Sequence, residues 1–518
     1  LEKRKLFRMV VLAYPAFNIY SNIAKKTTAL GPVCVASAAN KLAGWDVEVV
    51  DENNLGRFGP RSEEGGADHE ELERLRPADV VGFYGGLTST AERIYRLAEF
   101  YKGRGVFTVG GGQHFMGENL EEGLRAGIDV IVRGEGEPVI RELLEMVERH
   151  EEPAGIAGLA YMQDGKVVQT EEREKICDFE EHVLPDFSLV RYARLKIYPV
   201  EWVRGCGMNC EFCTVKGRPR AASVERIMEQ FRRIVEIHGG RQFFVVDDLF
   251  GQMRDDTIRL CDMLSEYQER MGVRLFITVQ IRLDRARDEE LLRAMRRAGI
   301  KAAAIGFESP IDEELAMMRK SIRAEDMLEY VKVFRRCGFL VHGMFIFGYP
   351  LRGDQSVAMS IEERRKRFTK FIRKSKLDTI QVLMPVPLPG TELRERLDEE
   401  GRLYAVEDVG WKYYDGNFPL FEPAGETSAE QMQAATHKIM AEFYRFRSMF
   451  LLAVSVISFP AVVLASRRLQ SGWLRWYRSW RNNLVRFGGW IILRRWTVQF
   501  ERGDFTERLK YKRRRLGG

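Results

Sequence analysis

The sequence predicts two consecutive α/β units, an open parallel sheet and then a partial (β/α)6 barrel, followed by a helical, basic C-terminal region. Short apolar runs alternate with amphipathic stretches from Arg8 to about Leu383. The early runs end in glycine clusters, and the later ones are separated by longer helical spacings. At 518 residues the chain is far longer than one domain of ~150, so two or three are expected. An apolar share of 45% and a charged share of 30% exclude wholesale disorder and a polytopic membrane protein. The first residues, Leu1–Lys5, lack a Met, and the apolar run Met9–Ala13 is too short for a secretory signal.

Arg8–Ala13 is a short apolar run broken by Tyr14 and Pro15, a strand and its stop. Val33–Ala43 has helical spacing, and Asp46–Val50 alternates like a strand. Asp79–Phe83, Gly105–Val109 and Ile128–Val132 are further buried strands. Strand–helix alternation with short loops implies a parallel sheet, with ligands beyond the carboxyl ends of its strands. Those ends carry Gly85 and Gly86, Gly110–Gly112, and Gly134–Gly136. Residues 1–145 are therefore expected as one domain. Residues 146–196 are expected as a connector with a hairpin, because Gly158–Tyr161 and Lys166–Thr170 flank the turn pair Asp164 and Gly165.

A second α/β run occupies 197–400. Its strands are expected at Tyr198–Val203, Gln242–Val246, Arg274–Thr278, Lys301–Ile305, Val341–Phe347 and Thr379–Leu383, with helices such as Asp288–Ala298 between them. Residues 401–518 form the helical tail. Ser448–Ser466 holds no charge and is interrupted by Pro460; Trp473, Trp476, Trp480, Trp490 and Trp496 then interleave with arginines. From Arg445 to the end there are 17 Lys and Arg against three acids, a net of +14, which leaves −8 elsewhere in a chain whose total is +6. An acidic body with a basic tail implies an anionic partner. Tryptophan favours the headgroup level and arginine snorkels, so the tail is expected to lie peripherally on an anionic membrane surface, at the inner face of the cytoplasmic membrane. No nucleic acid is expected. A helical hairpin packed on the barrel is the plainer alternative.

Cys206, Cys210 and Cys213 form Cys-x3-Cys-x2-Cys. Three thiolates from one loop can hold three irons of a [4Fe–4S] cube and leave the fourth open. The alternative is a structural zinc site completed by a distant ligand such as Cys177. This crowding of cysteines points to metal chemistry in a reducing cytosol.

The loop, with Phe212 before its last cysteine, resembles that of the radical S-adenosylmethionine (SAM) superfamily. The resemblance implies that the open iron binds SAM, whose reductive cleavage gives methionine and a 5′-deoxyadenosyl radical. It also implies a flavodoxin or ferredoxin as reductant. Phe244–Phe250 falls where the superfamily contacts the methionine end of SAM, which makes Asp247 or Asp248 the partner of its ammonium group. Ile305–Pro310 resembles the fourth-strand motif, with Glu308 at the ribose hydroxyls. Val386–Thr391 resembles the sixth-strand end of the cobalamin-associated branch. Taken singly, each of these acids reads as a helix cap.

The front domain resembles the Rossmann-like cobalamin-binding domain that precedes many radical SAM cores. The matching pieces include Ala13–Pro15, Gly85–Thr90, Gly110–His114 and Val132–Glu137, and the two resemblances together cover about 8–430. They imply cobalamin contacts from Tyr14, Gly85, Gly86, Ser89, Thr90, Gly111, Gly112, His114, Gly134 and Glu135. The chain departs from cobalamin mutases in lacking Asp-x-His-x-x-Gly after the first strand, so His114 is read as packing near the corrin or its tail, not as a cobalt ligand.

The cofactors so implied are a [4Fe–4S] cluster, SAM and cobalamin. The arrangement looks like the hopanoid methylases, and of these the C-3 type. That implies C-methylation of an unactivated carbon in a hydrophobic lipid, consuming two SAM per turnover. Oxidative cyclisation of a tetrapyrrole or lipid, and a non-catalytic cobalamin-responsive sensor at a membrane, are the other readings. Of the fifth-strand residues, Tyr349, Met344 and His342 are candidates to face the substrate or to be core.

Overall fold

The computed structural model describes residues 4–445 except 19, 64, 177–178, 180–182, 353–358 and 426, together with 449–451, 453–454, 470–501, 505 and 509. Strands β1 (Lys5–Val11), β2 (Trp45–Asp51), β3 (Val80–Tyr84), β4 (Phe107–Gly111) and β5 (Val130–Val132) form the parallel centre of the first sheet. Their spatial order β5-β4-β3-β1-β2 reverses direction at β1. At such a reversal the crossover helices leave toward opposite faces, and a crevice opens beyond the carboxyl ends.

Two strands of a hairpin, β6 (Leu159–Gln163) and β7 (Lys166–Gln169), extend the sheet antiparallel to β5. Asp164 and Gly165 turn the chain at φ 48° and 75°, the doubly positive backbone of a primed hairpin turn. A short β8 (Val190–Arg191) pairs with β2 at the opposite edge. The 146–196 segment thus lends strands to both edges of the first sheet.

The second unit begins with β9 (Ile197–Val200). The short pair β10 (Val203–Arg204) and β11 (Arg220–Ala221) brackets the cysteine loop. Strands β12 (Gln242–Phe250), β13 (Phe276–Ile281), β14 (Ile300–Glu308), β15 (Leu340–Ile346) and β16 (Thr379–Leu383) follow, in the all-parallel order β9-β12-β13-β14-β15-β16. The strand expected over Tyr198–Val203 stops at Val200, because Trp202 and Val203 donate their N–H groups to Asp247, at 2.7 and 3.0 Å. The helix Glu289–Arg297 starts where the carboxylate of Asp288 accepts from Leu291 N–H, at 3.0 Å.

Period-two alternation sorts the barrel's side chains. Phe243, Val245, Ile277, Val279, Phe307 and Phe345 are at most 2% exposed beneath the surrounding helices. Their neighbours Phe244, Val246, Thr278, Gln280 and Met344 line the lumen.

The tail contributes Ala429–Phe443, opened by a Ser428–Gln431 capping box, and the 32-residue helix Gln470–Glu501. That long helix crosses the amino-terminal end of β16: Arg481 reaches Asp378 at 3.3 Å and Arg486 reaches the Leu377 carbonyl at 3.1 Å. Among the described residues no helix is long and apolar enough to cross a membrane. Most of the uncharged run Ser448–Ser466, the basic stretch 510–515 that ends in three arginines, and Cys177 lie outside the described residues.

Candidate active site

One cavity of about 1690 Å³ runs between the two units. It enters the front domain beneath the helix Leu30–Ala39, where Phe7, Met9, Gly82 and Val109 line it, and passes the strand ends at Tyr14, Gly111, Gly112, Gly134 and Glu135. It continues past Gly205 and Thr214–Lys216 of the cysteine loop into the barrel lumen.

The glycine ends divide into two uses. Gly111 faces open cavity, with no neighbour closer than 3.9 Å to an added Cβ. Gly112, at φ +113°, backs onto Gly85 and Gly86, and an added Cβ would sit 2.7 Å from the Gly85 carbonyl carbon. Backbone packed on backbone leaves room for hydrogen alone. Gly85 and Gly86 therefore buttress the loop and do not line the cavity, and Ser89 and Thr90 lie off it as well. The Thr90 hydroxyl donates to the Leu87 carbonyl at 2.7 Å, whereas the buried Ser89 hydroxyl has no partner among the described residues.

His114 is fully buried outside the cavity. Its Nε2 lies 2.7 Å from the Tyr95 hydroxyl and its ring meets Trp411 edge-on at 5.0 Å. Burial, assisted by Arg394, holds the imidazole down at about 3, so it is neutral. Glu135 joins the two units: Arg204 and Arg220 reach it at 3.0 and 2.8 Å, and Arg204 also reaches Glu137 at 2.9 Å. Against the pull of burial, Arg220 and Arg204 keep Glu135 below the usual carboxylate range.

The cysteine loop is anchored from inside. Glu211, 1% exposed, accepts from Arg396 Nε at 2.7 Å and from the Tyr349 hydroxyl at 2.6 Å. Tyr349 is thereby core, while Met344 and His342 line the lumen. Burial raises the Cys210 and Cys213 thiols, and the Lys320 ammonium opposes this. Among the described residues no three His, Cys, Asp or Glu side chains converge on one metal ion. A cube spreads its thiolates over three separate irons, so convergence on a point is not what it requires.

The two adjacent aspartates face opposite ways. Asp247 points out of the lumen onto Trp202 and Val203, and burial pushes it up to about 8. Asp248 lines the cavity and accepts from Gly205 N–H at 2.7 Å. Glu308 closes β14 at φ 58°, a backbone uncommon for a residue with a side chain. Its carboxylate folds over Gly306, where a Cβ would collide with it.

Lys320 was not singled out by the sequence. Its Nζ lies 2.8 Å from Glu308 and 5.6 Å from the centre of the Phe212 ring, and its charge acts on both Cys210 and Cys213. The signal available was a cation twelve positions after a strand-end acid, too generic to read without the fold. Of the lumen residues, Gln280, Ala304 and Thr379 were missed for the same reason, whereas His342 and Met344 were among the candidates. Registers place Gln280, Ala304, His342 and Thr379 in one layer, with His342 Nδ1 2.8 Å from the Thr379 hydroxyl.

Two families match in chain order: the B12 binding domain over 19–144 and the radical SAM superfamily over 200–364. An uncharacterized methyltransferase of Pyrococcus horikoshii is 29% identical over 71% of this chain and 78% of its own length. The chain carries a B12 binding domain followed by a radical SAM domain, and it is similar to methyltransferases. The hopanoid C-3 methylase of Methylococcus capsulatus is 27% identical to it over 64% of this chain and 63% of that one. The anaerobic magnesium-protoporphyrin IX monomethyl ester cyclase of Rubrivivax gelatinosus is 25% identical over 73% and 67%. The fold matches that of the cobalamin-dependent SAM radical enzyme OxsB with a TM-score of 0.65, at 15% identity, over 98% of this chain and 81% of that one.

The cofactors of this radical SAM enzyme are a [4Fe–4S] cluster, SAM and cobalamin. The residues present fit them. Three thiols of one anchored loop suit the cluster. Asp248, Glu308 and Lys320 around that loop offer charges to an amino acid and hydroxyl acceptors to a ribose. The glycine-walled crevice beneath Leu30–Ala39 offers the corrin and its tail a cradle that side chains would fill.

Proposed function

We propose that this chain methylates an unactivated carbon of a hydrophobic lipid, with a hopanoid, at C-3, as the substrate it fits best. The observation that carries the reading is the continuity of the cavity: the front-domain crevice, the cysteine-loop residues and the barrel lumen bound one space. When bound there, the cluster and SAM supply a 5′-deoxyadenosyl radical, and cobalamin supplies a transferable methyl group.

The chain's own residues bind, orient and exclude. Asp248 takes the SAM ammonium, Lys320 the SAM carboxylate and Glu308 the ribose hydroxyls. Val246, Ala304 and Met344 give the lumen apolar wall for a hydrocarbon skeleton. Burial lowers the pKa of His342, so the lumen carries a neutral imidazole there. The substrate hydrogen leaves as an atom, so no general base is required. One SAM ends as 5′-deoxyadenosine and methionine, the other as S-adenosylhomocysteine, with two electrons per turnover from a flavodoxin or ferredoxin. A position against the inner face of the cytoplasmic membrane follows from the insolubility of the substrate.

The test is lipid mass spectrometry after anaerobic expression in a hopanoid-making host lacking its own methylase, fed cobalamin and labelled methionine. A hopanoid carrying one labelled methyl, absent with Cys213→Ala, is expected. Unchanged hopanoids, with cluster and cobalamin verified in the purified protein, would overturn the hopanoid assignment. The cyclase similarity supports a second reading, oxidative cyclisation, which removes hydrogens where methylation adds carbon.

A further inference from the structure

The lumen is closed at the amino-terminal end of its strands by the helix Gln470–Glu501. Val485, Gly488, Gly489, Ile492 and Leu493 from this helix line the same cavity as the front domain. The two glycines differ. An added Cβ at Gly489 would strike the Tyr444 ring, so this glycine seats the helix on Ala429–Phe443 and its following turn. At Gly488 an added Cβ would meet none of the described residues within 4 Å. Gly488 leaves a gap in the wall where any larger residue would project into the cavity.

On the outer side of the same helix, three described apolar residues are exposed. Leu484 is 42%, Ile491 36% and Val498 40% exposed, and none of them lines the cavity. Seven-residue spacing puts all three on one ridge, about two helical turns apart. Beside it, Val485 and Ile492 line the cavity and are themselves more than a third exposed, at 37% and 44%. The wall between the lumen and the outer ridge is one helix thick. The helix also carries six arginines and a single acid, Glu501.

We propose that this helix is a lipid portal: the Leu484, Ile491 and Val498 ridge lies on an anionic bilayer, and an apolar substrate passes into the lumen beside Val485, Gly488 and Ile492. The occupant is a bilayer because the ridge is apolar, the sequence from Arg445 onward carries a net charge of +14, and the ridge adjoins the mouth of an apolar-walled cavity. A cluster of apolar side chains flanked by arginine gains hydrocarbon burial and phosphate contacts together. The proposal deepens the reading of a lipid substrate and rests on it.

The holoenzyme is to be sedimented with vesicles of phosphatidylglycerol and phosphatidylethanolamine, and with vesicles of phosphatidylcholine. Binding of dehydroergosterol, a fluorescent apolar polycycle, is followed separately in detergent. Wild type is expected to sediment with the anionic vesicles and weakly with the neutral ones. The triple variant Leu484→Glu, Ile491→Glu, Val498→Glu is expected to lose vesicle affinity by about tenfold or more while keeping dehydroergosterol binding and cofactor absorbance. Gly488→Trp is expected to do the reverse, binding vesicles as wild type does and losing the sterol. Vesicle binding untouched by the triple variant, or sterol binding untouched by Gly488→Trp, would overturn the portal. Both results as expected, with hopanoids left unmethylated, would retain the portal and discard the hopanoid.

Discussion

The front sheet and the barrel both present the carboxyl ends of parallel strands to one cavity, but they build their ligand faces from different material. The front domain uses backbone: Gly111 and Gly134 remove side chains, and Gly112 packs against Gly85 and Gly86. The barrel uses side chains, chosen by alternation along β12 to β16, so that Asp248 faces the ligand space and Asp247 the core. The difference matches the ligands. A large flat cofactor needs space, whereas a small charged one needs placed charges. The two faces should therefore fail independently, and by different kinds of substitution.

The largest separation is expected from Cys213→Ala. It should abolish the cluster's iron–sulfur absorbance and all turnover, while cobalamin binding, read from its visible spectrum, stays within twofold or so of wild type. Coupled loss of both would mean that the two faces are not independent. Gly112→Val is the mirror experiment. Its side chain would enter the Gly85–Gly86 backbone, so cobalamin should be lost by well over tenfold with iron content unchanged, whereas Gly111→Ala should cost much less.

Lys320→Met comes next. Removing a charge-assisted partner should weaken SAM binding by roughly tenfold or more, measured by equilibrium dialysis, with the cluster retained. Equal SAM affinity would remove Lys320 from the site. The smallest effect concerns Asp247. Its carboxyl is raised to about 8 in the fold, so the folded state holds a proton that the unfolded chain releases above its ordinary range near 3.8. The cost to stability is absent at pH 3, grows through neutrality and levels off above 8. Asp247→Asn keeps an oxygen for the Trp202 and Val203 N–H groups, and should raise the melting temperature at pH 8 by on the order of 2 °C, and by less at pH 5. An unchanged or lower value at pH 8 would contradict the burial argument.

Particular residues show how far the sequence could be read. The strands were legible because apolar runs of strand length recur between helical periods, and the structure differs from the expectation mainly at ends such as Val200, where Asp247 interrupts the ladder. The cysteine loop was legible because its spacing is itself the chemistry. The choice between Asp247 and Asp248 was not, because neighbours in a strand differ by nothing except the register that sends one inward. His114 shows the same limit. A His-x-x-Gly pattern says nothing of whether the ring faces a ligand or, as here, Tyr95 and Trp411. Lys320 and Gly488 enter their sites from distant segments, which spacing along the chain does not encode. In the tail, the arginine excess was legible, but the docking of Arg481 and Arg486 at the start of β16 was not.

One shared cavity is what lets both cofactor faces serve methyl transfer. This is tested most directly with purified holoenzyme, a hopanoid and SAM carrying a deuterated methyl group. The expected product carries one deuterated methyl, accompanied by equal amounts of 5′-deoxyadenosine and S-adenosylhomocysteine. Formation of 5′-deoxyadenosine with a product that has lost hydrogens and gained no methyl would contradict it.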